Sequence, residues 1–240
     1  MCNDSNTKQV QRASLICWIA GLGAVTAESL AELDGCSPAS ARGRLQAAVR
    51  AGLVVRARPL HGAPSLFSAT RRGMALAGVT GEEPARVSVS GARHQIACAH
   101  AAAALARRYP QHVVCGERQL QRDERILGRP LASARMSWCS RWGDSHRPDL
   151  VIWPPAPGGS PVAVEVELTV KAPARLLEIC RAWSRAGHVA GVLYVASEAA
   201  LGPVARAIRQ AGGEDRIALL GLEALQAGDV PPASPVTGDA

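Results

Sequence analysis

Lysine is almost missing from this chain: of its 27 basic residues only Lys8 and Lys171 are lysine, and the rest are arginine. An arginine- and alanine-rich bias of this kind often follows GC-rich coding, so where the charge lies is more telling than its total. No apolar run approaches the roughly 18 residues that a membrane-crossing helix needs, so no membrane partner is expected. The opening MCNDSNTKQV lacks the basic and apolar segments of a secretion signal. A cytoplasmic location with reduced, mostly packed cysteines is therefore the expectation. The seven cysteines contain no Cys-x-x-Cys pair. Cys98 and His100 lie close together, but Cys115, Cys139 and Cys180 are scattered without ligand spacing, which argues against structural zinc. No nucleophile elbow occurs and the Gly158-Gly159 turn is not a phosphate loop, so serine or cysteine hydrolysis has no motif to rest on.

What is present is an ordinary globular composition, 48% hydrophobic with a mean hydropathy of +0.04, in 240 residues. That length suits two domains. The charge is one-sided: residues 1–147 hold 20 basic against 10 acidic residues, whereas residues 148–240 hold 7 against 10. A basic first half favours a polyanion partner, through phosphate contacts and the counterions they release.

Along the first half, the apolar residues Val10, Leu15, Ile16 and Ile19 recur at helical spacing, predicting a helix over 8–20 that ends at Gly21 and Gly23. Thr26 reads as an N-cap for AESLAELDG. After an Asp34-Gly35 turn, Ser37-Pro38 opens a third helix, since a cap serine and a proline at the first helical position both suit unpaired amides. Short strands are expected at 53–58 and 65–69 around the turn-rich His61-Gly62-Ala63-Pro64, and Thr70-Arg71-Arg72-Gly73-Met74 opens another helix.

Helix, helix–turn–helix, hairpin, helix is the order of a winged helix-turn-helix domain. The residues LAELDGCSPASARGRLQAAVRAGLV and LFSATRRGMALAG resemble the recognition helix, wing and closing helix of many bacterial DNA-binding proteins. The resemblance implies a helix presented to the major groove of double-stranded DNA. Ser37, Ser40, Arg42 and Arg44 are its candidate exposed residues, with Leu45, Ala48 and Val49 facing the core. Arg56 and Arg58 on the wing, with Arg71 and Arg72 beyond it, would meet phosphate. A protein-interaction role is the other use of such a domain.

The Gly/Pro/Ser-containing stretch 78–90 reads as an interdomain connection. The expected organisation is a DNA-binding domain at 1–80, a linker at 81–90, an α/β domain at 91–227 and a disordered tail at 228–240. Within the α/β domain, residues 91–109 predict an alanine-rich helix and 112–115 a strand, while 116–136 resists assignment. Beyond Pro148 the pattern is strand 149–153, strand 162–168, helix 173–186, strand 190–196, helix 199–211 and strand 216–220. This alternation implies a mixed, partly parallel sheet with packed helices.

Asp149 opens the first of these strands, and Glu165 and Glu167 lie two apart on the next, so both glutamates share one face. Carboxylates in an apolar strand are costly unless a cation meets them. On adjacent strands the three would converge as hard oxygen ligands for Mg²⁺ or Mn²⁺, able to support phosphodiester chemistry. Pairing with Arg147, Arg175 or Arg181 is the other solution.

Pro148-Asp149 followed sixteen residues later by Glu165-Val166-Glu167, then a helix and a strand, resembles the PD-(D/E)xK restriction-endonuclease-like fold. That resemblance implies a catalytic and metal-binding set of Asp149, Glu165 and Glu167. Glu167 stands where the family usually has lysine, in an E-x-E variant, and Lys171 would reach back to supply the positive charge. The family's acidic residue on the first helix has no counterpart in 91–109, and Glu117 is the nearest substitute. Over nearly its whole length, through RHQIACAHAAAALARRY, GERQLQRDE, RPDLVIW and AVEVELTVK, the chain is similar to the replication-relaxation family of plasmid and mobile-element proteins. Two functions follow as expectations. One is a Mg²⁺-dependent DNA endonuclease or nickase. The other is a non-catalytic replication regulator that keeps the fold as a DNA-shape or dimerisation module, with a homodimer as its assembly.

Overall fold

The computed structural model describes residues 3–136 and 145–227. The tail expected at 228–240 lies outside them. The described residues divide into two compact units, one from Met1–Arg107 with Cys115–Gln119 and the other from Arg108–Val114 with Leu120–Ala240.

In the first unit, α1 (Asn3–Leu22) is longer than its apolar repeat suggested. Thr26 caps α2 (Ala27–Asp34) through a reciprocal box: its Oγ1 accepts from the Ser29 amide at 2.9 Å, and its own amide donates to Ser29 Oγ at 3.1 Å. Gly35, with φ of 62°, ends that helix in the left-handed conformation that glycine adopts without a Cβ penalty. Ser37 then caps α3 (Pro38–Arg50) by accepting from the Ser40 amide at 3.2 Å. The strands β1 (Val54–Ala57) and β2 (Leu66–Ala69) pair antiparallel with Val54 opposite Ala69, and Val25 adds a single bridge to Phe67. Thr70 caps α4 (Arg71–Leu76). Gly73 has no room for a side chain, because a Cβ would meet the Leu53 carbonyl oxygen at 2.1 Å. Ile16, Ile19, Leu30, Leu45 and Leu66 fill the interior, and Ala48 joins them while Val49 is only half-buried.

Two observations bear on the domain limits expected above. Residues of the 78–90 stretch are tied into the first unit. Glu83 accepts from Arg71 at 2.6 and 2.7 Å, its carbonyl accepts from Arg118 at 2.6 Å, and Val87 packs on a cluster of Ala24, Leu66 and Ala92. The alanine-rich helix α5 (Ala92–Arg108) also groups with the first unit through Arg107, not with the second. Its Gln95 amide donates to the carbonyls of Leu22 and Ala24 at 2.9 and 3.0 Å. The first of these occupies the carbonyl of Leu22, the last residue of α1, which has no partner within the helix.

The remaining elements are β3 (Val113–Gly116), α6 (Glu117–Leu127), β4 (Leu150–Trp153), β5 (Val162–Glu167), α7 (Pro173–Ser184), β6 (Gly191–Ala196), α8 (Glu198–Ala211), β7 (Ile217–Gly221) and α9 (Leu222–Ala227). The five strands form one mixed sheet in the order β3-β4-β5-β6-β7, antiparallel between β4 and β5 and parallel from β5 to β7. Helices α7 and α8 are the crossovers of two consecutive parallel connections. They therefore lie on one face of the sheet and pack on each other. The sheet core is Leu150, Val151, Val164, Val166, Tyr194 and Val195, with Leu176, Ile179 and Trp183 from α7. No described helix is long and apolar enough to cross a membrane.

Candidate functional site

Alternation along β5 sends Ala163, Glu165 and Glu167 to one face and Val162, Val164 and Val166 to the other. Glu165 and Glu167 are 3% and 4% exposed, which makes them buried carboxylates and raises the question of what meets each one. Leu150 pairs with Val164 across the antiparallel ladder, so one step further sets Asp149 opposite Glu165. Asp149 Oδ2 accepts from the Val166 amide at 2.8 Å, which fixes it against the same strand.

Each glutamate has its own cationic or N–H partner. Oε1 of Glu165 accepts from His146 Nε2 at 2.8 Å and from Trp183 Nε1 at 3.0 Å. Glu167 Oε2 pairs with the Lys171 ammonium four residues on. The expectation of arginine partners is corrected in part: Arg147 faces Glu124 instead, at 3.5 Å. Arg175 and Arg181 are exposed on α7. His146 and Arg147 are neighbours on an extended segment, so their side chains leave on opposite sides and only one can meet Glu165.

The electrostatics bind these groups into one cluster. Burial alone would lower the His146 pKa. The charge and hydrogen bond of Glu165, with a smaller contribution from Asp149, outweigh it and leave the imidazole above its usual 6.5. Burial likewise works against the Lys171 ammonium, but Glu167, then Glu165 and Asp149, hold it above the usual 10.5. On β6, Tyr194 stands beside Glu165 in the parallel register and is fully buried, with its hydroxyl next to the Cys180 thiol. Burial, with the Glu165 charge second, pushes this phenol well above its usual value. Burial also pushes the neighbouring Cys180 thiol up to about 11. The thiolate is the reactive form, so Cys180 is expected to resist alkylation near neutral pH while exposed Cys17 reacts. Peptide mass spectrometry after iodoacetamide treatment, native and denatured, checks this, and early native labelling of Cys180 would contradict its placement.

Glu117, the substitute helix acid, opens α6 and groups with the first unit, whereas Asp149, Glu165, Glu167 and Lys171 belong to the second. His146 and Trp183 complete the surroundings of Glu165 and were not singled out by sequence reasoning. Their only signal was composition, a histidine just before Asp149 and a tryptophan on an amphipathic helix.

The basic helix face lies in the first unit. Ser37 at the cap of α3 and Ser40, Arg42 and Arg44 on it are all exposed, as are Arg56 and Arg58 on β1 and its turn, and Arg71 and Arg72 on α4. Several of these arginines are held by local partners. Arg42 meets Glu28 at 3.4 Å and Arg44 pairs with Asp34. Arg56 and Arg58 both donate to Ser65 Oγ, and Arg71 takes Glu83. These are surface pairs of small energetic weight. Arg50, the last residue of α3, is exposed as well and extends the same basic helix.

Comparison with family models, curated proteins and solved structures gives no match for this chain.

Proposed function

We propose that the chain is a DNA-binding protein whose second unit binds Mg²⁺ or Mn²⁺ at Asp149, Glu165 and Glu167 and cuts or nicks DNA. On this reading the first unit is a winged helix-turn-helix and the second a PD-(D/E)xK-like domain, as in replication-relaxation proteins of plasmids and mobile elements. The observation that carries it is the pair of buried carboxylates on one face of the sheet's central strand, with Asp149 immediately before the adjacent strand and Lys171 on Glu167. The carboxylates are hard oxygen donors of the kind a divalent ion takes, and Glu165 Oε2 and Glu167 Oε1, on the same strand face, make no hydrogen bond among the described residues. Bound there, the ion would supply an activated water and charge stabilisation at phosphorus. Asp149, braced on the Val166 amide, and Glu165 would hold it, with Glu167, paired to Lys171, as a further ligand. Conversion of supercoiled plasmid to open-circular or linear form with Mg²⁺ or Mn²⁺, abolished by chelation, is the expected result. No conversion with either ion would refute the nuclease reading.

A second reading, a non-catalytic DNA-binding regulator, is favoured by one observation: Glu165 and Glu167 already have partners in His146, Trp183 and Lys171. Both readings rest on the basic helix. Duplex binding by the full chain is expected to weaken with salt, and Arg42→Ala with Arg44→Ala to reduce the log–log salt slope by about 2, one per lost phosphate contact. Fluorescence anisotropy across a salt series measures it. A double variant with the parent's affinity and slope would remove α3 from the interface and leave a protein-interaction role for the first unit.

A further inference from the structure

Glu165 and Glu167 share a strand face but are held differently. Both donors to Glu165 converge on one oxygen, Oε1, and come from separate elements: His146 from the segment before β4, and Trp183 from α7 after β5. The two rings also meet edge to face, 5.8 Å apart at 67°. Trp183 is fully buried, and His146 is tied down by paired backbone bonds to Ala134 of 2.8 and 2.9 Å. Rotating the carboxylate would break both hydrogen bonds at once, so its oxygens are not interchangeable. Glu167, by contrast, is met by the single flexible chain of Lys171, whose side chain is 37% exposed.

We infer that Trp183 and His146 are positioning residues: together they lock Glu165 so that Oε2 is presented as the fixed metal ligand, while Glu167 is the adjustable one. This rests on the metal-binding reading above. The physical gain is preorganisation. A carboxylate already held in its ligating rotamer loses less freedom when the ion binds, and hydrogen bonds to a ligand's other oxygen are worth about 10–100-fold in metal affinity. An indole N–H only donates and does not titrate, so the Trp183 bond holds at every working pH.

The test uses the full chain. In a ¹H–¹⁵N spectrum, the indole resonance lost in Trp183→Phe belongs to Trp183. In the parent it is expected to shift saturably with Mg²⁺, and in Glu165→Gln to stay still. By calorimetry with Mn²⁺, Trp183→Phe and His146→Ala are each expected to lower affinity about tenfold or more, and His146→Gln, which restores an N–H donor, to recover most of the loss. Thermal unfolding verifies that each variant is folded. If Trp183→Phe does not fold, the His146→Ala and His146→Gln pair decides alone. Folded variants that bind Mn²⁺ within about twofold of the parent, against that tenfold expectation, would overturn the positioning role while leaving the metal site standing. A parent that binds neither ion would instead refute the metal reading itself, and the positioning role with it.

Discussion

Glu124→Ala is expected to destabilise the second unit by about 3–5 kcal/mol, the usual cost of removing one member of a buried charged network. Glu124 is 2% exposed, yet it ends no strand and lines no site. Its Oε1 accepts from the amides of Leu131, Ala132 and Ser133 at 2.9, 3.2 and 3.1 Å. Oε2 accepts from Ser133 Oγ at 2.7 Å and faces Arg147. Alanine would leave three amides and the Ser133 hydroxyl without an acceptor, each costing about 1–3 kcal/mol where water cannot enter, and would leave Arg147 without its carboxylate. Glu124→Gln keeps one acceptor oxygen and the side-chain volume but turns an amide toward Arg147, so an intermediate loss is expected. Urea unfolding measures both. The chain has two compact units, so the loss should fall in one transition if they unfold separately, with an unchanged m-value for that step. A Glu124→Ala variant within about 1 kcal/mol of the parent would mean that the loop is satisfied by water instead. The consequence reaches further than stability: the loop that Glu124 clamps leads into the Ala134–His146 bridge, which delivers His146 to Glu165.

The same residue explains the largest gap between sequence and fold. Helix α6 resisted assignment because ERQLQRDERIL is a charged run whose only apolar residues are Leu120, Ile126 and Leu127, the last two exposed. Its buried face is Leu120 with Glu124, four residues apart, and a pattern search scores the glutamate as surface. Where local chemistry alone sets structure, the reading held. The caps at Thr26, Ser37 and Thr70 are in place because side-chain oxygens next to unpaired amides need no tertiary help. The strand face shared by Glu165 and Glu167 followed from the period of two. The partners of those carboxylates did not. His146 and Trp183 lie 19 and 18 residues from Glu165 and meet it only once β4 pairs with β5 and α7 folds back on the sheet. The 78–90 stretch misled for a related reason: glycine, proline and serine announce irregular backbone, not whether Val87 and Glu83 then find partners.

Glu165→Gln is expected to eliminate the response to Mg²⁺ or Mn²⁺ while leaving the fold largely intact. Glutamine keeps the volume and an oxygen able to accept from both His146 and Trp183, so what is lost is charge. Neutral hydrogen bonds replace charge-assisted ones, a change worth about 1–2 kcal/mol in a buried setting. That loss should depend on pH in a defined direction. The folded His146 pKa is raised above 6.5 by Glu165, so the pair's contribution is fully present below the unfolded value and disappears as pH rises through the folded one. In chelator, the parent should therefore exceed the variant in stability at about pH 5.5 and approach it at about pH 8.5. With millimolar divalent ion the parent should gain stability in proportion to the logarithm of ligand excess over Kd, and the variant should not. Thermal unfolding at both pH values, with ion and with chelator, beside the plasmid assay, separates the readings. Metal-linked stabilisation and cleavage in the parent alone support the nuclease. A parent indifferent to either ion, yet more stable than the variant on the acid side, would make Glu165 a buried anchor for His146 and leave the chain a DNA-binding regulator.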